Sequence, residues 1–280
     1  MIFRRVRDLP NIGVCRPVAA HRRTELDLGL AGHRVIVTAG AAGIGREIVA
    51  AFLEEGARVA ACDVDAEAVA RLRAEVPEVI AEVRDVSDPE AVRGFVERAA
   101  EAMGGIDTLV NNAGIAGPTA RVEDVSDAEW ERCLAVNLTG QFNAVRAAVP
   151  HLRLSANPSI ACLSSAAGKL GFALRAPYAA AKWGVIGLAK SLAVELGSDR
   201  IRVNAILPGL VAGDRQRRVM EAKAERRGVS FEEVEAEAFA YTSIRDYGTP
   251  RQIADQIVFL ASSRSRTITG QAISVCGDTK

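Results

Sequence analysis

The chain has 280 residues, 49% of them hydrophobic, with 35 Lys and Arg against 35 Asp and Glu and a mean hydropathy of +0.10. That apolar fraction excludes a disordered chain, the zero net charge spread along the sequence argues against nucleic acid or acidic lipid as the main partner, and no apolar run approaches the ~18 residues of a membrane span. Cys15, Cys62, Cys133, Cys162 and Cys276 are odd in number, widely spaced and free of any CxxC pair, the usage expected of reduced thiols in a cytoplasmic protein with no disulfide frame and no metal site.

Residues 1–25 stand apart. Arg4, Arg5, Arg7, Arg16, Arg22 and Arg23 oppose only Asp8 and Glu25, and Pro10 and Pro17 interrupt any periodicity. The segment lacks the continuous apolar stretch of a secretory signal, while its Arg-rich, acid-poor make-up is similar to an organelle transit peptide. The plainer expectation is a basic, disordered extension or an over-long start, set apart from the fold. Its removal leaves Leu26–Lys280 with an acidic excess.

From Leu26 onward short apolar runs alternate with longer amphipathic ones, which predicts a single doubly wound α/β domain of Rossmann type. Its seven-stranded, mainly parallel sheet would carry helices on both faces. Strands are expected at Arg34–Thr38, Arg58–Cys62, Val79–Val83, Thr108–Asn111, Ser159–Ser164, Arg202–Leu207 and Ala272–Val275. Helices are expected at Ile44–Glu55, Ala66–Glu75, Pro89–Met103, Asp127–His151, Tyr178–Leu196 and Pro250–Ala261. Asp214–Tyr247 breaks this rhythm with a charged, helix-like segment around Phe231–Ala240, so residues 210–247 are expected to form an insertion covering a ligand site.

The first strand runs into Thr38-Ala39-Gly40-Ala41-Ala42-Gly43-Ile44-Gly45 and then a helix. Taken alone this is a tight strand-to-helix turn. In its context, small residues let the backbone approach a pyrophosphate, which the free N–H groups and positive end of the helix would hold. Asp63 ends the second strand 18 residues past Gly45, close to the spacing of an acid that binds ribose hydroxyls. The same carboxylate repels a 2′-phosphate, and no Arg or Lys lies between Ala39 and Gly45, so NAD is expected over NADP. Farther on, Tyr178 and Lys182 stand one helical turn apart, where an ammonium favours the phenolate and makes proton transfer accessible near neutral pH. With three tyrosines and five lysines in the chain, such a pair is expected by chance only about 0.05 times.

These motifs, in this order, resemble the classical short-chain dehydrogenase/reductase family. The resemblance spans nearly all of Leu26–Lys280. Its usual loop reads Thr-Gly-x-x-x-Gly-x-Gly, and Ala39 stands here where the first glycine would be, a variant expected to keep a negative φ. The resemblance implies cofactor contacts from Ala39, Ala42, Gly43, Ile44, Gly45 and Asp63, from Asp85 and Val86 after the third strand, and from Asn112, Ala113 and Gly114 after the fourth, with Asn111 supporting the fold. It implies further contacts from Tyr178, Lys182 and the Pro208-Gly209-Leu210-Val211 turn, through Pro208, Gly209 and Val211. Gly213 replaces a threonine common in the family, and Arg215 is the candidate to make its phosphate contact. The implied catalytic set is Asn137, Ser165, Tyr178 and Lys182. Tyr178 exchanges the proton, Lys182 lowers its pKa and binds the nicotinamide ribose, Ser165 orients the substrate oxygen and Asn137 completes a proton relay. Ser164, beside Ser165, is read as structural, and Cys276 as a small buried hydrophobe.

The expected function is NAD-dependent interconversion of a secondary alcohol and a ketone, with a polyol or sugar acid as the leading substrate class. Lys169, Arg175, Arg215, Arg217 and Arg218 are candidates to recognise an anionic group, although each also fits a solvated surface charge. Two alternatives are a 3-oxoacyl-(acyl-carrier-protein) reductase, disfavoured by Asp63, and a non-catalytic NAD-sensing regulator, disfavoured by the full catalytic set. The resemblance also implies a homodimer or homotetramer packed through the helices that hold Asn137 and Tyr178.

Overall fold

The computed structural model describes residues 27–279, and the basic segment 1–25 lies outside them. The β-branched run Val35-Ile36-Val37 offers no polar side chain to water and forms β1 (Arg34–Thr38), buried on both faces. The other strands are β2 (Arg58–Asp63), β3 (Ile80–Val83), β4 (Thr108–Asn111), β5 (Ser159–Leu163), β6 (Arg202–Pro208) and β7 (Ala272–Val275). They form one seven-stranded sheet in the order β3-β2-β1-β4-β5-β6-β7, and every neighbouring pair is parallel.

The helices are α1 (Gly43–Glu54), α2 (Ala66–Glu75), α3 (Pro89–Met103), α4 (Asp127–Leu134), α5 (Gly140–Leu152), α6 (Ala176–Glu195), α7 (Asp214–Arg227), α8 (Phe231–Ala240) and α9 (Pro250–Ala261). The strand period of two sorts the core into two layers. Ile36 packs with α3, α5 and α6 through Phe95, Val145 and Val185. Val35 and Val37 face the other way, toward α1, α2 and α9 through Phe52, Leu72 and Ile257.

Two expectations about helices are corrected. Asp127–His151 is not one uninterrupted α-helix: a turn of π-helix, Ala135–Thr139, separates α4 from α5. The side chain of Asn137 accounts for the disturbance, because its Nδ2 donates to the Cys133 carbonyl at 2.9 Å, the acceptor that its own backbone N–H would use in an α-helix. The inserted segment holds two helices, α7 and α8, where only the second was expected. At the strand ends, β2 extends to Asp63 and β6 to Pro208, while β3 begins at Ile80 and β5 stops at Leu163.

Candidate active site

The strand order reverses between β1 and β4, so the loops leaving their carboxyl ends diverge and a crevice opens between them. It is a cleft of about 940 Å³, lined by the loops after β1, β2, β4, β5 and β6 and roofed by α7 and α8.

At one end the backbone makes the site. α2 and α3 are capped by Asp65 and Asp88, each accepting two backbone N–H groups. α1 has Ala42 at its N-cap, with no side-chain oxygen and no acid in the first turn, so its leading N–H groups keep their donors and positive dipole for the cleft. Gly43 sits at φ +53 with open space where a Cβ would be, and a Cβ on Gly45 would lie 1.9 Å from the Ala39 carbonyl oxygen. Asp63, at the carboxyl end of β2, accepts the Ala41 N–H on Oδ2 and the Asp65 N–H on Oδ1, both at 3.2 Å, while lining the same cleft. Free donors, an open cradle at Gly43 and an acid at the end of β2 fit a dinucleotide.

Ala39 departs from expectation: its φ is +50, not negative. The surroundings impose this. Asn112 Nδ2 donates to the carbonyls of Thr38 at 3.1 Å and Ala39 at 2.9 Å, and Gly45 packs directly beneath the latter. The Thr38 hydroxyl completes the clamp by accepting the N–H groups of Asn112 and Ala113, both at 3.0 Å. Asn112 thus ties β4 to the loop after β1 while also lining the cleft, and Thr38 is a site-building residue that sequence reasoning missed. Asn111 donates instead to the Gln141 carbonyl of α5 at 3.2 Å.

Of the residues singled out in the sequence, Ala39, Ala42, Gly43, Ile44, Asp63, Asn112, Gly114, Ser165, Tyr178, Lys182, Pro208, Gly209 and Val211 line the cleft together. Gly45, Asp85, Val86, Ala113 and Asn137 do not line it. Asp85 is held by Ser87 and by an ion pair to Arg132 at 3.0 Å. Burial pushes its carboxyl up, but those bonds outweigh it and leave the group below the usual carboxylate range. Val86 is buried against Gly140.

At the other end side chains converge. Ser165 follows β5 in an extended conformation, and Ser164 beside it donates to the Lys182 backbone carbonyl at 2.7 Å, which fixes the start of α6 to the strand. One turn apart on α6, Tyr178 and Lys182 bring the ammonium to 5.7 Å from the phenol ring centroid, with Lys182 Nζ donating to the Leu163 carbonyl at 2.8 Å. Burial pushes the Tyr178 phenol up; the charges of Lys182, Arg215 and Arg175 and the Ser165 hydroxyl outweigh it, and the net direction is below the ordinary value. Burial pulls the Lys182 ammonium down, only partly opposed by Tyr178. Asn137 is fully buried and its Oδ1 has no hydrogen-bond partner. Both Asn137 Oδ1 and Lys182 Nζ crowd the point where Gly114 would carry a Cβ, at 2.6 and 3.4 Å, so only glycine leaves them facing one another.

The roof closes on a neck at Leu210–Ala212, where Gly248 exchanges backbone bonds with Leu210 and Ala212 at 2.8 and 2.9 Å. Arg215 of α7 reaches across and donates to the Gly114 carbonyl at 3.1 Å. Cys276 is more polar in its contacts than expected. Its sulfur accepts the Thr279 N–H at 3.4 Å, and although burial pushes the thiol up, Thr279 and Lys169 bring it below its ordinary value.

A family model described as enoyl-(acyl carrier protein) reductase matches residues 39–277. An uncharacterized short-chain type dehydrogenase/reductase of Sinorhizobium fredii is 35% identical over 89% of this chain and 97% of its own length. The chain belongs to the short-chain dehydrogenase/reductase family. Another relative, the 3-oxoacyl-(acyl-carrier-protein) reductase FabG of Thermotoga maritima, is 34% identical over 89% of this chain and 98% of that protein. Among solved structures, NAD+-bound xylitol dehydrogenase superposes with a TM-score of 0.85 at 30% identity, covering 89% of this chain and 99% of the neighbour. As a short-chain dehydrogenase/reductase the protein is an oxidoreductase of CH–OH groups that works with a nicotinamide cofactor.

Proposed function

We propose that the protein interconverts a secondary alcohol and a ketone with NAD, and that its substrate is a polyol, a sugar acid or another small hydroxy compound. What carries this reading is the meeting of Tyr178, Lys182 and Ser165 in the cleft that also holds Asp63 and the uncapped end of α1. Tyr178, its phenol drawn below the ordinary value, removes the hydroxyl proton; Lys182 sustains the phenolate and holds the nicotinamide ribose. Ser165 orients the substrate oxygen, and Asn137, facing Lys182 across Gly114, holds a water that passes the proton between Lys182 and solvent. A nicotinamide cofactor held by these residues would supply the hydride acceptor, at its C4. Ala39, Ala42, Gly43 and Ile44 receive the pyrophosphate, Asp63 the adenosine ribose, and Asn112, Gly114, Pro208, Gly209 and Val211 the remainder of the dinucleotide, while Gly45, Asp85, Val86 and Ala113 support this lining from behind.

Asp63 supports NAD over NADP by like-charge repulsion of a 2′-phosphate, in keeping with the NAD+-bound xylitol dehydrogenase neighbour. The FabG relative supports a second reading, reduction of a 3-oxoacyl thioester. Exposed Phe142 on α5 and Trp183 and Val194 on α6 support a homodimer or homotetramer joined through these helices.

A panel of secondary alcohols, polyols and sugar acids assayed for NADH formation, with NADP and an acetoacetyl thioester plus NADPH in parallel, tests these readings. Tyr178→Phe is expected to lower turnover by about 10³-fold or more while NAD still binds; unchanged turnover sinks the assignment. A strong preference for NADP overturns the reading of Asp63.

A further inference from the structure

The substrate end of the cleft holds cations that the proton-transfer chemistry leaves without counter-charge. Arg175, at the N-cap of α6, is only 5% exposed, yet no carboxylate pairs with it among the described residues. Its Nη2 donates to the Ala116 carbonyl at 2.7 Å, its Nε is buried with no partner, and its guanidinium carbon stands 4.8 Å from the centroid of the Tyr178 ring. A buried guanidinium without an acid is costly, and the fold holds it in place with a strained residue: Leu174 has φ +63, and its carbonyl is pinned by the Ala120 N–H at 3.1 Å.

From the roof, Lys223 of α7 reaches the same cleft, its Nζ 5.4 Å from the centroid of the Phe172 ring and likewise without a carboxylate among the described residues. Burial and then the charge of Arg175 pull its ammonium down, so the two cations stand within each other's field. Elsewhere on α7, Arg217 pairs with Glu221, Arg226 with Asp124 and Arg227 with Glu237, whose charge only partly offsets the pull on Lys223. Arg175, Arg215, Arg218 and Lys223 line the cleft without a carboxylate partner among the described residues, while Arg227 there is paired with Glu237, in a chain whose described part is acidic overall.

We propose that Arg175 and Lys223 form an anion subsite that receives a carboxylate of the substrate, which makes the substrate a hydroxy acid with its carbinol at Tyr178 and its carboxylate beyond the phenol ring. The subsite rests on the dehydrogenase reading for the carbinol, but binding of the anion does not depend on turnover. No bond to the carboxylate changes: the carbinol C–H leaves as hydride to NAD, the O–H proton goes to Tyr178, and the carbonyl double bond forms in their place. The carboxylate takes hydrogen bonds from the Arg175 guanidinium, whose planar fork suits it, and charge compensation from Lys223.

Matched substrates at saturating NAD test the subsite: gluconate against sorbitol and lactate against isopropanol, with sorbitol phosphate and 2-hydroxypropane-1-sulfonate as phosphate and sulfonate arms. The acids are expected to exceed their neutral partners in kcat/KM by roughly tenfold to a hundredfold. Arg175→Met is expected to bring that ratio near one, mainly through KM, with Arg175→Lys restoring part of it and Lys223→Met giving a smaller loss from a helix outside the main core. If Arg175 served only to lower the Tyr178 pKa, acid and neutral substrates would suffer alike and the ratio would stand, which overturns the proposal. Butyrate binding to the enzyme–NADH complex, followed by NADH fluorescence, supplies a readout without turnover and is expected to weaken at least tenfold in both methionine variants. Butyrate that fails to bind, sorbitol oxidised as well as gluconate, or preference for the phosphate or sulfonate over the carboxylate each overturn it. Arg175-dependent butyrate binding with no alcohol oxidised leaves the subsite standing and sinks the dehydrogenase reading instead.

Discussion

The two ends of the cleft are made of different material. The dinucleotide end is backbone: uncapped N–H groups, glycines without room for a methyl, and carbonyls gripped by Asn112, all rooted in the central strands β1 and β4. The substrate end is side chain: Arg175 and Tyr178 at the start of α6, Phe172 in the loop before it, and Lys223 on α7 of the roof, whose own small core is Met220, Ala224 and Val234. A backbone site presents the same donors whatever the ligand's far end, so it suits a cofactor shared across a family. A side-chain site on a lightly packed roof can change its chemistry without disturbing the sheet, and that is where substrate choice belongs.

The harshest way to break this contrast is to put a methyl into the backbone end. Gly45→Ala would set a Cβ 1.9 Å from the Ala39 carbonyl oxygen and 2.6 Å from Asn112 Nδ2, neither of which can retreat without opening the clamp. The expected cost is about 3 kcal/mol or more, with NAD binding lost. A Gly45→Ala protein that melts like the parent and binds NAD would show that the loop is not built by close approach.

Asp63→Asn probes the one side chain on which the backbone end depends for selectivity. Asparagine keeps an acceptor for only one of the Ala41 and Asp65 N–H groups and removes the charge. The ratio of kcat/KM for NAD over NADP is expected to fall about tenfold to a hundredfold, since a charged hydrogen bond to the ribose is worth roughly 1.5–3 kcal/mol. An unaltered ratio would move cofactor choice to the cations of the roof.

The same contrast explains what could be read from the sequence. The strands were legible to within a residue or so at their ends because a doubly covered parallel strand is a continuous apolar run, as in Val35-Ile36-Val37. The Gly-rich loop, Asp63 and the Tyr178–Lys182 pair were legible because their spacing along the chain is itself the chemistry. The roof was not. α7 reads Asp-Arg-Gln-Arg-Arg and onward with only Met220 and Ala224 buried, which leaves no apolar stripe to betray a helix. Arg175 looked like one solvated cation among five, because its burial depends on Ala116 from a distant loop as well as on the neighbouring Tyr178 ring. The π-helical turn was hidden for a similar reason, since Asn137 takes its partners from Cys133 and from Ile115 on a separate loop.

On the roof, Val234→Ala trims the small core between α7 and α8 by two methyl groups, a loss of about 1–2 kcal/mol. If the roof opens as its own unit, the main thermal transition stays put while KM for the substrate rises up to about tenfold and NAD affinity holds. A fall in the midpoint of global unfolding with no change in KM would mean that the roof is welded to the core, and the contrast between the two ends would fail.

The smallest effect has the opposite sign. Ala39 at φ +50 occupies a conformation that costs an L-residue roughly 1–2 kcal/mol, and its methyl adds only a partly buried contact with the Ile36 layer to a loop that is gripped through the Ala39 carbonyl. Ala39→Gly removes that strain but gives the unfolded chain more freedom, worth about 0.4–1 kcal/mol against folding. The balance is a gain of roughly 0.5–1 kcal/mol, read as a higher denaturant midpoint with an unchanged slope. NAD affinity should be unaltered, because the N–H groups at the start of α1 stay where they are. Should the glycine variant prove less stable than the parent, the left-handed turn would have to be held by contacts of the Ala39 side chain, and this end of the cleft would no longer be made by backbone alone.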